Sequence, residues 1–594
     1  METSKIMSRC IFWPPLLFVF STFVQAQVEN QVTFSPGAFQ NVNISQNESV
    51  QAVVSRIPSE VIIITLQFHS QHHNATLSYT RIPTMGLSLT AADAGLLSTL
   101  EPGQTSLSLF LSSPNGDAVV GVGVTLSYGS RDPVPGACNL EFNLDVDPNI
   151  YIAYNLYETT IRFAPANLGS ERGQTPPACD ESTGSDTRWR LQYDIYQHFL
   201  PENDLSERSL FSSFQAVADV RGLMASGRRV ATLKSTDKTM MVFNSIPGQG
   251  VIYSVIVRDP VLNTSASYVP VHTYACSFTS TLDACQTLGR ISTKIFFTIT
   301  GLAGLLVCFF GHRFFKSELF CMGFSFVSFF FFVLITRTTQ LDYDSKSTRR
   351  PPQCETSMLS ECPQDVPCVS AVRLTVSAVV GVMGGVLLVM SWWRFGSVMA
   401  CVVVIGLMLG FLVASIVLFT PLGDLDVFRN SDVVFWVTFC CIMLVVPLFF
   451  VRWPREGNIT TCGIVGAYAV VLAVNAYIYT SLSYITLNIL KRFLNNSFSA
   501  MFTDVPFQTI DYIMIAVWAV LGVCGIVLQL YRERSRPFFP PSPYLMWQQE
   551  RERRKTNVLD PSHHVPSLSS RLLEQVRQFT RRREPAGEHT PLLL

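Results

Sequence analysis

The sequence predicts a mixed, two-part fold: an all-β, tandem sandwich-like exoplasmic ectodomain followed by a seven-helix α-helical transmembrane bundle. Three observations predict it. The chain opens on a leader-like segment, its first half alternates strand-like runs with glycan acceptors, and its second half holds seven apolar segments of membrane-crossing length. Composition agrees, with 48% hydrophobic and only 14% charged residues in 594, and 43 Lys+Arg balanced by 43 Asp+Glu. So apolar a chain would expose greasy surface in water, which disfavours a wholly soluble enzyme, a disordered scaffold and a basic nucleic-acid binder.

Residues 1–26 carry Lys5 and Arg9, then an apolar run from Ile11 to Val24, then Gln25 and Ala26. A basic start, a short apolar centre and a small residue before a polar stretch are the parts of a signal peptide. Pro14 and Pro15 inside the run weigh against an uncleaved anchor. Gln27 then begins the mature chain outside the cytosol.

From 27 to 290 no apolar run is long enough to span a bilayer. Residues 61–68, 106–111 and 251–257 are β-branched or alternating, and Pro-Gly, Asn-Gly and Asp-Pro punctuate such runs. Pro102-Gly103-Gln104 before Cys138 and Pro247-Gly248-Gln249 before Cys276 form a weak internal repeat. Two β-rich domains, 27–144 and 145–290, are therefore expected. Asn43, Asn47, Asn74 and Asn263 each open an N-glycosylation sequon. Cys138, Cys179, Cys276 and Cys285 suit two disulfides in an oxidising compartment; the local pairing 138–179 and 276–285 is favoured among three connectivities.

This half shows no nucleophile elbow, zinc-protease motif or phosphate-cradling loop. His69, His72 and His73 stand close together, but the stretch reads better as a solvated turn than as a metal site. Asp145, Asp147 and Asn149 read as a turn rather than a calcium loop. No catalytic, cofactor-binding or metal-ligating residue is expected, and the half reads as a binding module.

Seven apolar segments occupy 291–530, at about 294–311, 319–336, 371–391, 397–419, 433–451, 461–482 and 510–530. With the N-terminus outside, an odd count leaves the C-terminus in the cytosol. Arg313, Lys316, Arg394, Arg452, Arg455 and Arg532 then fall on inner ends, as the positive-inside rule requires. Asn458 opens a sequon in an expected inner loop and should be silent, whereas Asn495 lies outside and is a possible acceptor. Gly381 and Gly385, and likewise Gly406 and Gly410, are spaced for close helix packing.

Ionisable groups deep in the spans look nearly absent. Asn475 is the most conspicuous mid-span polar side chain, with Lys491 and Asp511 placed near ends. That poverty disfavours a charge-coupled transporter and a membrane metallohydrolase. Span three ends in Ser391-Trp392-Trp393-Arg394 and span seven lacks Asn-Pro-x-x-Tyr, so the helices are not those of a rhodopsin-like receptor.

The tail, 531–594, holds twelve Lys/Arg against seven Asp/Glu. Its basic runs read as inner-face charge excess, and residues 567–583 have the apolar spacing of a short amphipathic helix. Glu588, Leu592 and Leu593 resemble an acidic dileucine sorting signal read by clathrin adaptors.

Asp132-Pro133-Val134-Pro135-Gly136-Ala137-Cys138, Phe310-Gly311-His312-Arg313-Phe314-Phe315, Trp392-Trp393-Arg394-Phe395-Gly396 and Asp504-Val505-Pro506-Phe507 stand together in one chain. With these, nearly the whole mature chain resembles the transmembrane 7 superfamily member 3 family. The helical half is also similar to the transmembrane protein 198 family, whose members are linked to scaffolding of Wnt co-receptor signalling. One departure is the loop at 345–369, with Cys354, Cys362 and Cys368, which is longer than the resemblance implies.

The resemblance implies a non-enzymatic membrane glycoprotein that promotes cell survival. It would attenuate endoplasmic-reticulum stress and the unfolded protein response, protect against cytokine-induced death and support insulin secretion. It implies no catalytic residues and no cofactor. The partners expected are the lipid bilayer, a protein bound by the ectodomain and a clathrin adaptor at the tail. The location expected is the secretory pathway and plasma membrane, with endosome or lysosome traffic. The rival expectation is a channel, lipid transporter or scramblase, its path lined by Asn475 and the small residues of spans three and four.

Overall fold

A computed structural model describes residues 30–155, 157–180, 186–278, 285, 291–347, 366–396, 398–494, 501–535, 539, 542–556, 572 and 573. The leader, Asn495, Cys354, Cys362, most of the 567–583 helix and the dileucine residues Glu588, Leu592 and Leu593 lie outside them.

Nine strands build the first β-domain: β1 (Gln31–Phe34), β2 (Phe39–Ile44), β3 (Ser49–Ser55), β4 (Ile63–Ser70), β5 (Ala75–Ser78), β6 (Ser88–Ala91), β7 (Asp93–Thr99), β8 (Ser106–Ser112) and β9 (Val119–Tyr128). They form two sheets, ordered β1-β3-β8-β5-β6 and β2-β9-β4-β7. In β3 the alternation Val50, Ala52, Val54 turns one face inward, where Phe34, Leu66, Phe68, Leu96 and Leu111 complete the core.

The second β-domain follows with β10 (Ile150–Tyr154), β11 (Glu158–Phe163), β12 (Gln192–Phe199), α1 (Glu207–Val217), α2 (Val220–Ser226), β13 (Arg228–Lys234), β14 (Met240–Asn244), β15 (Val251–Asp259), β16 (Thr264–Ser267) and β17 (Val271–Thr273). One of its sheets runs β13-β12-β15-β16, with β17 also on β15. Disulfides join Cys138 to Cys179 and Cys276 to Cys285. The chain from Val134 onward already belongs to this set of strands, since Val134 bridges Asn167 and the Cys138 N–H donates to the Pro165 carbonyl. Gly103 and Gly248, in the two Pro-Gly-Gln turns, take φ of 83° and 89°, a backbone region that favours glycine.

The remaining elements are helical: α3 (Ile291–Phe310), α4 (Phe315–Ser347), α5 (Val366–Phe395), α6 (Val398–Phe419), α7 (Asp426–Asn430), α8 (Asp432–Arg452), α9 (Pro454–Asn475), α10 (Tyr484–Leu494), a two-residue strand β18 (Met501–Phe502), α11 (Thr509–Glu533) and α12 (Pro543–Thr556). Six of them, α4, α5, α6, α8, α9 and α11, are long and apolar enough to cross a membrane. The expected first span, α3, is less clear, because its described apolar part, Lys294–Phe310, is shorter. α9 is the most buried of the six and packs on α3, α6 and α11.

The sixth span begins and ends seven residues earlier than its apolar run. Pro454, pre-organised for a first helical position, starts it. The bundle then buries Asn458 at 0% exposure, so that sequon lies in a helix and not in a loop. Asn475 stands at the helix end and not mid-span, its Oδ1 accepting from the N–H and hydroxyl of Thr480. Asp511 does not reach an interface either. It caps its helix, accepting from the N–H groups of Gln508 and Ser481 at 0% exposure.

The chain forms two compact units. The first comprises residues 1–153, 160–240 and 248–274, and the second comprises 154–159, 241–247 and 275–594.

Candidate functional site

In the first unit, β4 is buried on both faces. Its period of two sends Ile64, Leu66 and Phe68 into the sandwich core and puts Thr65, Gln67 and His69 on the opposite face. The second β-domain covers that face. A Cβ added at Gly95 of β7 would run into the Val269 side chain, and the Asn149 amide bonds both the N–H and C=O of Gly95 at 2.8 and 2.9 Å. Tyr128 and Ser267 meet hydroxyl to hydroxyl at 3.0 Å, and Gln71 donates to the Leu205 carbonyl and the Tyr274 hydroxyl.

Asp93 is the centre of this junction. Its Oδ1 lies 2.8 Å from His69 Nδ1, and its Oδ2 lies 2.7 Å from His272 Nδ1 and 2.8 Å from the His272 N–H. A carboxylate only accepts, so both imidazoles present a protonated Nδ1 to it. Phe214 of α1 stacks on His69 with centroids 4.0 Å apart and meets His272 edge-on. Burial pushes the Asp93 carboxyl up, but His272 and His69 outweigh it and hold it down at about 2. His69 is thus sealed between two domains and is not part of a solvated turn; only His72 and His73 face solvent.

The arrangement resembles an acid–base dyad, yet all three side chains are almost fully buried, at 1%, 1% and 6% exposure. A catalytic base must reach a reacting atom, and this one reaches a phenylalanine. Its chemistry is that of a lock. Among the described residues no group of three His, Cys, Asp or Glu is placed to hold a metal. Asp147 is likewise spent within its turn, accepting from Asn149 and the Tyr151 hydroxyl.

Away from the junction, the β5–β6 connection lifts apolar side chains into solvent, with Ile82 76% and Met85 86% exposed. Leu140, 93% exposed, belongs to the neighbouring 139–144 turn, since the Asn143 carbonyl sits 3.7 Å from a Cβ built on Gly86. The sequon asparagines Asn43, Asn47 and Asn263 are exposed, and Asn74 is half-buried.

In the second unit the spaced glycines are filled by neighbouring helices. A Cβ at Gly381 would stand 3.0 Å from the Phe324 carbonyl, and one at Gly385 2.8 Å from that of Phe320, both on α4. A Cβ at Gly406 would stand 3.0 Å from the Pro447 backbone and one at Gly410 would run into the Met443 carbonyl, both on α8. These glycines serve helix contacts. Lys491 is 8% exposed, and its Nζ donates at 2.7 Å to both the Tyr157 carbonyl and Asn244 Oδ1. Burial brings its ammonium down to about 8, with Glu158 acting in the opposite sense.

Sequence reasoning also missed Glu318. It was placed just outside an apolar segment, yet it lies inside α4 at 1% exposure. The apparent poverty of buried ionisable groups is corrected accordingly. Its signal was the helix-compatible stretch Phe314–Leu319, which extends the apolar segment N-terminally by a turn.

Two immunoglobulin-like β-sandwich domains followed by membrane-length helices define a multi-pass membrane protein. Three family descriptions match it: "TM7SF3-like, N-terminal immunoglobulin-like domain" over 30–128, "TM7SF3-like, second immunoglobulin-like domain" over 133–279, and "TM7S3/TM198-like domain" over 297–530. Transmembrane 7 superfamily member 3 of Rattus norvegicus is 51% identical over 98% of this chain and 100% of its own length. The Homo sapiens protein of that name is 50% identical over 95% of each chain. The chain belongs to the transmembrane 7 superfamily member 3 family.

Among solved structures, a β-1,2-glucanase from Parabacteroides distasonis covers 47% of this chain and 36% of its own at 11% identity and a TM-score of 0.13. A β-glucuronidase from Bacteroides uniformis covers 39% and 25% at 8% identity and a TM-score of 0.16. Likeness at that level carries no argument about activity.

Proposed function

We propose that this protein is a non-enzymatic membrane glycoprotein whose immunoglobulin-like half binds a protein partner outside the cytosol. The observation that carries the reading is the exposed apolar group Ile82, Met85 and Leu140, borne by two domains that Asp93 joins into one body. Solvent-exposed apolar side chains gathered on a rigid frame favour protein recognition, because little ordering entropy opposes docking. The family resemblance supports the physiological part: survival under cytokine and endoplasmic-reticulum stress, restraint of the unfolded protein response, and insulin secretion. The N-terminus is exoplasmic and the C-terminus cytosolic in this reading, with glycans on Asn43, Asn47, Asn74 and Asn263. Adaptor binding at Glu588, Leu592 and Leu593 directs traffic between the plasma membrane and endosomes.

Proximity labelling around the full-length chain tests it in stressed cells lacking the endogenous protein. The double variant Ile82→Asp, Met85→Asp, expressed at matched level, is expected to lose a labelled partner and to lose rescue of survival together. Undiminished labelling and rescue would refute ectodomain docking at this surface.

A further inference from the structure

Glu318 stands in the first turn of α4, facing Asn458 of α9. Asn458 Nδ2 is 3.1 Å from Glu318 Oε2 and 3.0 Å from His312 Nδ1, so one amide nitrogen spends both its hydrogens on two acceptors. Two oxygens are left over. Glu318 Oε1 and Asn458 Oδ1 are both sealed from solvent and have no hydrogen-bond partner. The His312 N–H donates to Gln529 Oε1 at 3.2 Å, and the Phe539 ring closes over the imidazole at 5.3 Å.

The ionisable groups that face Glu318 are few. They are the His312 imidazole, the Cys321 thiol of its own helix, the Cys401 thiol of α6 and the Cys462 thiol of α9. Lys316, two residues away in sequence, lies instead over the Trp392 ring. Among the described residues neither Lys nor Arg forms an ion pair with Glu318. The cluster has surplus acceptors and lacks a strong donor, the Cys462 thiol beside Glu318 being a weak one. Buried acceptors without a donor are costly, and cationic neutralisation would require a side chain that is not there.

We propose that Glu318, with Asn458 and His312, is a proton-binding site inside the helical bundle. A proton taken up on the carboxylate supplies the missing donor. The Asn458 amide then makes a half-turn, exchanging the two bonds its Nδ2 donates for bonds its Oδ1 accepts, and Oδ1 accepts from the carboxylic acid. The same oxygen now faces His312 Nδ1, so the ring proton of neutral His312 moves from Nε2 to Nδ1. One proton enters and none is lost; the buried carboxylate sheds its charge and Oδ1 gains donors, while Nδ2 moves to the place Oδ1 held. Binding at α4 is thereby registered on α9 and at the turn before α4.

Difference infrared spectroscopy on the full-length chain in lipid nanodiscs, stepped between pH of about 5 and about 9, reads the site. The expected result is a carboxylic-acid carbonyl band that titrates with uptake of about one proton per chain, and that disappears in Glu318→Gln. Asn458→Leu keeps the carboxyl but removes its acceptor, and should move the band. Identical wild-type and Glu318→Gln difference spectra would overturn the proposal. So would a band unmoved by Asn458→Leu, or one that responds to sodium at fixed pH, which would mark a metal-cation site. Should Glu318→Gln not fold, the Asn458→Leu shift alone decides the matter.

Discussion

Asp93 and Glu318 are both carboxylates sealed from solvent, in different surroundings. In the β-rich unit Asp93 meets two imidazoles and a backbone N–H, and Asp259 receives both Nε and Nη2 of Arg190 at 3.0 and 2.6 Å. In the helical unit Glu318 meets a neutral amide and the Cys462 thiol, and Lys491 meets a carbonyl, an amide oxygen and the face of Tyr484. Arg492, paired with Asp432, follows the first pattern. A buried carboxylate with several donors or an opposite charge beside it holds its protonation state over a wide pH range. A buried group with few partners, all neutral, is free to change state. The β-rich half is built to stay as it is, and the helical half keeps groups that respond.

The sharpest way to break this contrast is to remove the carboxylate from the β-rich lock. Asp93→Ala leaves His69 and His272 buried without their acceptor and should cost about 4 kcal/mol. That is about a thousandfold loss of hydrogen-exchange protection in β4 and β15 of the full chain. A loss confined to a few-fold would mean that the domains are held by apolar contact alone.

Lys491 should give the next largest effect, and one that depends on pH. Its folded value near 8 lies below the unfolded 10.5. Unfolding therefore takes up a proton between those values, and stability rises with pH across that window by about 3 kcal/mol. Thermal unfolding of the solubilised chain should show the rise, and Lys491→Met should flatten it.

Asp93 predicts the same sense at the acid end, in a separate window. Its folded value of about 2 lies below the usual 3.8, so its contribution of about 2 kcal/mol is complete above pH of about 4 and is lost as pH falls toward 2. Melting of the β-rich unit should be insensitive to this group between neutral pH and the acidity of endosomes. An Asp93-dependent transition near pH 5 would contradict the lock. The smallest effect belongs to Arg190→Lys. It keeps the charge but loses the fork that reaches Asp259, and should cost about 1 kcal/mol by the same melting assay.

Much of the architecture was legible because it rests on local periodicity. Residues 251–257 are β-branched and form β15, and apolar segments of span length become α4, α5, α6, α8, α9 and α11. The junction was not legible. His69 stands beside His72 and His73 in sequence, and only β4's alternation, seen against a second domain, separates the buried ring from two solvated ones. Glu318 and Asn458 escaped for a related reason. A polar residue at the edge of an apolar run reads as a boundary, whereas the bundle supplies partners that let the helix carry it inward. Lys491 drew the same misreading, since its acceptors at Tyr157 and Asn244 lie more than two hundred residues away.

The two-residue strand β18 sets a timetable for the making of this protein. Val242 and Phe243 pair in parallel with Met501 and Phe502, and the Asn244 amide donates to a carbonyl 259 residues further along. At roughly 5–20 residues per second of synthesis, β14 waits some tens of seconds for that partner to exist. Throughout that interval one of its edges is open. A chain stopped before residue 501 would never close it, and an open strand edge is what chaperones hold and aggregates extend. The completion of a strand near the middle of the chain thus becomes a check that synthesis has reached the residues just before the last span.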